Sequence, residues 1–323
     1  MSKGPLLASG TGDLLPARSG AAESPSPTHH GSVLNSSDMN TTIQRFVFFL
    51  LLSLGTWHSP AQTTLVDDSV FYSSLGRIKT FRVLAPTRSG TSLCPGLVLL
   101  HGFGGNHTNW TELTRLRQIV DSLQLVVIMP DGENSWYVNS VSDPQARFED
   151  YIVRDLFSVL SARFGIDTTR VGIAGLSMGG YGSLVLGLRH PERFRFIGAM
   201  SSSLDIPFGI RSLEQHGREG LKPSLVATFG EDTTMWGAYD PFRLLHSLDA
   251  GQTPYIYLVT GIQDEFAGRL MYHRSLVEIL SAHTLPYEYH ETPGKHNWDF
   301  WAREIKGVIA RFMIVVGQGE GMR

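Results

Sequence analysis

The stretch Val171-Gly172-Ile173-Ala174-Gly175-Leu176-Ser177-Met178-Gly179-Gly180 leads from a short apolar run, through a serine between glycines, into a helical pattern over 181–189. A serine at a sharp strand-to-helix turn, with glycines that admit close backbone approach, has the form of a nucleophile elbow. A glycine-rich turn with an incidental serine would share the local pattern. The rest of the chain has to separate the two.

Outward from the elbow, further apolar runs lie at 97–100 (LVLL), 126–129 (VVIM), 196–200 (FIGAM) and 255–259 (YIYLV). Each has the length and apolar character of a strand buried on both faces. Residues 70–74 and 77–84 predict an opening antiparallel pair, with Leu75-Gly76 near its turn. Trp110, Leu113, Leu116, Val120 and Leu123 recur at helical spacing, as do Ile152, Val153, Leu156, Phe157 and Leu160 within 148–164. That second stretch stops at Gly165, a natural C-terminal helix residue. Further helices are predicted over 269–282 and 298–312. Strands alternating with helices imply an α/β fold, with a mostly parallel central sheet and helices on both faces. No internal repeat interrupts residues 62–323, which are expected to form one domain.

A serine at its free pKa is a poor nucleophile, so Ser177 needs a base, and the base needs an orienting acid. Behind an elbow the expected order is serine, acid, histidine. Asp264 follows the run 255–259, and the carboxyl ends of strands are where sites gather in open α/β sheets. His296 stands in Gly294-Lys295-His296-Asn297, before the last helix. Glu265, Asp232 and Asp299 compete for the acid role, and His283 and His290 for the base. An acyl-transfer site also needs donors for an oxyanion. The backbone N–H of Met178 is one candidate. The glycine-rich His101-Gly102-Phe103-Gly104-Gly105, after the run 97–100, can supply the other.

Composition narrows the remaining choices. The chain has 323 residues, 42% hydrophobic, with 27 basic against 30 acidic side chains and a net charge of −3. Without a basic block there is no electrostatic footprint for nucleic acid. The single cysteine, Cys94, excludes an intrachain disulfide and thiolate zinc sites. No dinucleotide fingerprint, Walker sequence or zincin motif is present. Asn106-His107-Thr108 and Asn109-Trp110-Thr111 match the glycosylation acceptor.

Residues 1–38 are rich in Ser, Gly, Pro and Ala and are expected to be disordered or untranslated. Residues 39–61 then read as a signal peptide. In this reading Met39 is expected to be the physiological start, with Arg45 as the positive charge, 46–54 (FVFFLLLSL) as the apolar run and Ser59-Pro60-Ala61 as the cleavage site. The apolar run is about half of what a membrane-spanning helix requires. The expected product is secreted or periplasmic, with no stable membrane insertion once the signal is removed.

The strings HGFGGNHTNW, DGENSWYVNS, FEDYIV, GLSMGGYGSL, LRHPERF and TPGKHNWDFW, in this order, resemble the putative-esterase group of serine esterases over about residues 68–315. That group includes esterase D (S-formylglutathione hydrolase), tributyrin esterases, feruloyl esterases and antigen 85-like mycolyltransferases. The resemblance implies an α/β-hydrolase fold with Ser177 as nucleophile, His296 as base and Asp264 as acid. It puts the oxyanion amides on Phe103 and Met178, with His101 and Trp136 as substrate contacts. S-formylglutathione hydrolases carry a cysteine-bearing loop after the His-Gly pair, where this chain has Phe103-Gly104-Gly105. The implied activity is hydrolysis of short-chain or polysaccharide-linked acyl esters through an acyl-enzyme, with neither metal nor organic cofactor. Acyl transfer of the antigen 85 type and a non-catalytic binding protein on this scaffold are the alternatives.

Overall fold

Side chains alternate along buried strands, and here that alternation builds two cores. Leu97, Leu99 and Leu176 lie in one of them, and Val98, Leu100 and Ile173 in the other. The computed structural model describes residues 63–87, 93–206, 214, 218–248, 251, 253–266 and 269–317. The expected leader (1–38) and signal peptide (39–61) lie outside the described residues.

The strands are β1 (Thr63–Tyr72), β2 (Arg77–Pro86), β3 (Cys94–Leu100), β4 (Val126–Pro130), β5 (Ile166–Leu176), β6 (Phe196–Met200), β7 (Tyr255–Gly261) and β8 (Tyr287–Thr292). They form one sheet in the order β1-β2-β4-β3-β5-β6-β7-β8. β1 and β2 are an antiparallel hairpin with Tyr72 opposite Arg77, and β2 meets β4 antiparallel. From β4 to β8 all pairings are parallel. The carboxyl ends of these strands therefore share one edge of the sheet, and every loop leaving that edge can face the same cleft.

The principal helices are α1 (Phe157–Phe164), α2 (Met178–Arg189), α3 (Lys222–Phe229), α4 (Arg269–Ala282) and α5 (Trp298–Gly317). Leu184, Val185 and Leu188 of α2 and Leu276 and Leu280 of α4 fill the face of Val98, Leu100 and Ile173. Phe300, Ile305, Val308, Ile309 and Phe312 of α5, with Trp110, Leu116 and Val120, fill the opposite one. Each fully buried side chain of this size contributes roughly 1.5–3 kcal/mol, so the α5 stripe alone anchors the end of the chain firmly.

The structure departs from the periodicity in two places. The single helix expected across Trp110–Leu123 is two short pieces, Asn109–Glu112 and Leu116–Val120, and Leu113 between them is 48% exposed. Thr114 causes the break. Its Oγ1 donates to Trp110 O and accepts from Leu116 N–H at 3.0 Å, offering the backbone an alternative to the helical bond. The helical stretch from Phe148 to Phe164 is continuous but passes through a π-helical segment at Tyr151–Leu156 before ending at Gly165. At its start, buried Glu149 accepts from Arg189 Nε at 2.9 Å and lies 2.7 Å from His190 Nε2. Burial pushes the Glu149 carboxyl up, but these contacts outweigh it and hold the group below its ordinary value. The FEDYIV and LRHPERF segments thus meet as a structural latch.

Candidate active site

Ser177 follows β5 directly and stands at the N-cap of α2, with φ 54° and ψ −113°. A non-glycine residue in that conformation costs on the order of 1–3 kcal/mol and persists only where its surroundings enforce it. Here the Ser177 N–H donates to Met200 O at 2.9 Å, and its carbonyl accepts from Tyr181 N–H at 3.0 Å and Ser203 N–H at 3.3 Å. The flanking glycines are required by close approach. A Cβ on Gly175 would lie 2.4 Å from Gly179 O, and one on Gly179 would lie 2.5 Å from His101 O. The strained turn is therefore wedged between β3 and β6, with the hydroxyl at the sheet's carboxyl edge.

His296 stands beyond β8 and Asp264 beyond β7. His296 Nε2 is 2.9 Å from Ser177 Oγ, and Nδ1 is 2.9 Å from Asp264 Oδ2. The Asp264 side chain is 1% exposed and that of His296 is 9% exposed. Asp264 Oδ1 also accepts from Phe266 N–H at 3.2 Å. The imidazole is gripped edge-to-face by Phe266, 4.6 Å between ring centres, and by Trp301 at 4.9 Å. Such a line can move a proton from the hydroxyl to the imidazole while the carboxylate fixes the ring's tautomer. Glu265, the adjacent competitor for the acid position, accepts the backbone N–H of His296 at 3.1 Å. That bond holds the Glu265 carboxyl below its ordinary value.

The remaining competitors lie elsewhere. Asp232 caps the segment starting at Thr233, His283 pairs with His246 at 3.0 Å, and His290 pairs with Glu288 at 3.1 Å. Asp299 is exposed in the first turn of α5.

Two amides are available beside Ser177. Met178 is the first residue of α2, where N–H groups have no intrahelical acceptor and the helix dipole favours negative charge. Phe103 is the second residue of the Gly102–Gly105 turn; it lines the cleft and is 39% exposed.

His101, expected to contact substrate, does not line the cleft. It is 1% exposed. Its Nε2 accepts from Gly132 N–H at 2.9 Å and its Nδ1 lies 2.8 Å from Gly102 O, so both ring nitrogens serve the two loops. Adjacency to the glycine turn suggested a contact, but backbone groups claim the ring. Trp136 does line the cleft, with its ring 6.0 Å from Phe103 and 5.9 Å from Tyr181. Its indole N–H donates to Ser224 Oγ at 2.9 Å.

The cleft around Ser177 has a volume of about 710 Å³. Phe103 and Trp136 wall it, as do Phe266, Trp298 and Trp301. Arg218 also lines it, and sequence reasoning missed this residue. It pairs with Asp205, donates from Nη2 to Ser203 Oγ at 3.2 Å, and stacks 5.3 Å above Phe266. Nothing in the aperiodic sequence around Arg218 signals that role. Among the described residues, no group of three or more His, Cys, Asp or Glu is gathered to hold a metal, and no helix is long and apolar enough to cross a membrane.

Residues 73–312 match the putative-esterase family. An acetyl esterase of Caldicellulosiruptor saccharolyticus is 30% identical over 216 residues, covering 65% of this chain and 79% of that protein. The S-formylglutathione hydrolase of Mus musculus is 30% identical over 207 residues, covering 58% of this chain and 70% of that one. Among solved structures, an S-formylglutathione hydrolase from Agrobacterium tumefaciens superposes with a TM-score of 0.69 at 20% identity, over 80% of this chain and 98% of that one.

Proposed function

Because the chain belongs to the putative-esterase family, on the α/β-hydrolase fold, we propose that it is a serine carboxylesterase acting through Ser177, His296 and Asp264. The observation that carries this reading is the unbroken line from Asp264 Oδ2 through His296 to Ser177 Oγ, both of its bonds 2.9 Å long. His296 Nε2 takes the hydroxyl proton as Oγ attacks the ester carbonyl. The amides of Phe103 and Met178 hold the developing oxyanion, a contribution of roughly 3–4 kcal/mol for each such donor. The protonated imidazole then gives its proton to the departing alcohol. A water activated by His296 attacks the acyl-enzyme and frees Ser177 as the acid leaves. Asp264 keeps Nδ1 protonated throughout.

The substrate reading is a short-chain or carbohydrate-linked acyl ester. Support comes from the acetyl esterase likeness and from a cleft walled by aromatic rings on which an acyl group or a sugar face can pack. Residues 62–323 form the esterase domain in this reading, and the signal-like segment 39–61 supports export to the periplasm or the exterior.

A fluorophosphonate probe should label the protein at one site, mapped by peptide mass spectrometry to Ser177, and the protein should hydrolyse p-nitrophenyl acetate. Ser177→Ala should remove both, with a loss in kcat on the order of 10⁶-fold. Undiminished turnover by that variant would refute the assignment.

A further inference from the structure

The turn that carries the Phe103 amide is held at Gly102 by His101 and, from the loop after β4, by one further side chain. Gly102–Gly105 closes with Gly105 N–H donating to Gly102 O at 3.0 Å. Gly104 has φ +74°, whereas Phe103 has no positive φ. A positive φ at the third residue alone identifies a type II turn. In a type II turn the central peptide is rotated by about 180° from its type I orientation. The direction of the Gly104 N–H is therefore what distinguishes the two states. That N–H donates to Asn134 Oδ1 at 2.7 Å.

Asn134 is fixed in turn. Its carbonyl accepts Ser224 Oγ at 3.0 Å, and the same hydroxyl accepts the Trp136 indole N–H at 2.9 Å. The preceding residues are anchored as well. Gly132 N–H reaches buried His101, and Asp131 accepts Lys79 Nζ at 2.7 Å. The loop after β4 thus reaches across to the loop after β3 with an acceptor that carries no charge. A carboxylate there would place a negative charge next to the position where the oxyanion forms.

We propose that Asn134 is a positioning residue for the reaction: by holding the Gly104 N–H it ties the oxyanion turn to the loop after β4 and so keeps the neighbouring Phe103 amide in place. This inference rests on the reading of Phe103 as an oxyanion donor. Without the side-chain acceptor the turn is tied to the loop after β4 by one bond fewer, its residues move more freely, and the Phe103 N–H, one residue from the lost tether, is aligned for only part of the time. The loss should appear where the oxyanion forms and leave substrate binding alone.

The test compares Asn134→Ala with wild type, and Ser224→Ala as a milder perturbation one bond further out. With p-nitrophenyl acetate, Asn134→Ala should lower kcat about tenfold with KM within twofold, short of the roughly 10²–10³-fold that losing a donor outright costs. The Ki of a trifluoromethyl ketone, which forms a tetrahedral oxyanion on the serine, should rise by the same factor. The Ki of the matching methyl ketone, bound as an unreacted carbonyl, should stay constant. Ser224→Ala should shift the same quantities by a smaller factor. An unchanged kcat and trifluoromethyl ketone Ki, or a raised KM at constant kcat, would overturn the proposal. Continued fluorophosphonate labelling of Asn134→Ala shows that Ser177 and His296 remain competent. Failure of the wild type to label would instead overturn the triad reading, and this inference with it.

Discussion

The two halves of the site are built by different means. Ser177 sits where β5 passes directly into α2, and its N–H and C=O bond to the backbone of the β6 end, the loop after it and α2 itself. The other half comes from two loops, one after β7 and one after β8, whose strands end with Gly261 opposite Thr292. Beyond the sheet these loops are fastened to each other: Ile262 N–H to Thr292 O at 3.0 Å, Gln263 N–H to Gly294 O at 3.0 Å, and Gly294 N–H to Gln263 Oε1 at 2.5 Å. Ser177 is thus set by covalent succession and close packing. Asp264 and His296 are set by a zipper between loops, which one side chain can loosen without unfolding the sheet.

The largest effect that tests this contrast is on the loop half. Asp264→Asn keeps the side chain's volume but lets it donate to Nδ1, which favours the wrong imidazole tautomer. A drop in kcat of about 10⁴-fold is expected, with the melting temperature nearly unchanged. Steady-state hydrolysis and a thermal melt on the same preparation check it. A drop below tenfold would remove Asp264 from the orienting role.

On the elbow half the corresponding change should damage folding as well as catalysis. Gly179→Ala brings a Cβ within 2.5 Å of His101 O and 2.7 Å of Leu100 O. These are backbone atoms of β3 and its exit, which cannot swing aside as a flexible side chain would. Overpacking of this kind costs typically 1–3 kcal/mol, so a lower denaturation midpoint should accompany the loss of turnover. If Gly179→Ala impairs turnover at full stability, the elbow is not the rigid half.

The same contrast explains what the sequence could reveal. The strand–serine–helix succession around Ser177 is local, and the order of carboxylate and histidine downstream follows from chain direction, so the serine and the two loops that the structure brings to it were legible. So were five of the doubly buried strands, although apolar runs mark only their buried centres: β5 begins at Ile166, five residues before the run at Val171. Which of two adjacent carboxylates faces the imidazole was not legible, because neighbouring side chains point different ways and only the loop's path decides. Arg218 and Asp205 meet across 13 positions through a segment without periodicity. Asn134 bonds a backbone amide 30 positions away. The helix expected over residues 110–123 was misread because helical spacing does not register the Thr114 hydroxyl, which breaks the ladder from within.

The finest discrimination concerns Glu265, whose carboxylate accepts the His296 N–H at 3.1 Å from an exposed position. Glu265→Gln retains an amide oxygen as acceptor and loses the charge, so the loop should keep its course and kcat should fall only a few-fold, far less than for Asp264→Asn. The pH dependence gives the sharper signature. The His296 N–H stabilises the ionised form of Glu265, so the folded-state pKa lies below the ordinary value of about 4.3. A depressed carboxyl contributes stability above its unfolded pKa and loses it as pH falls through the folded value. The wild type should therefore melt slightly above Glu265→Gln at pH 7 and pH 6, and the gap should narrow as pH is lowered from about 4 toward 3. Calorimetric scans of both proteins at each pH measure the gap directly. A gap that stays constant down to pH 3 would mean that the charge does nothing for the loop, and the zipper between β7 and β8 would then rest on its backbone bonds and Gln263 alone.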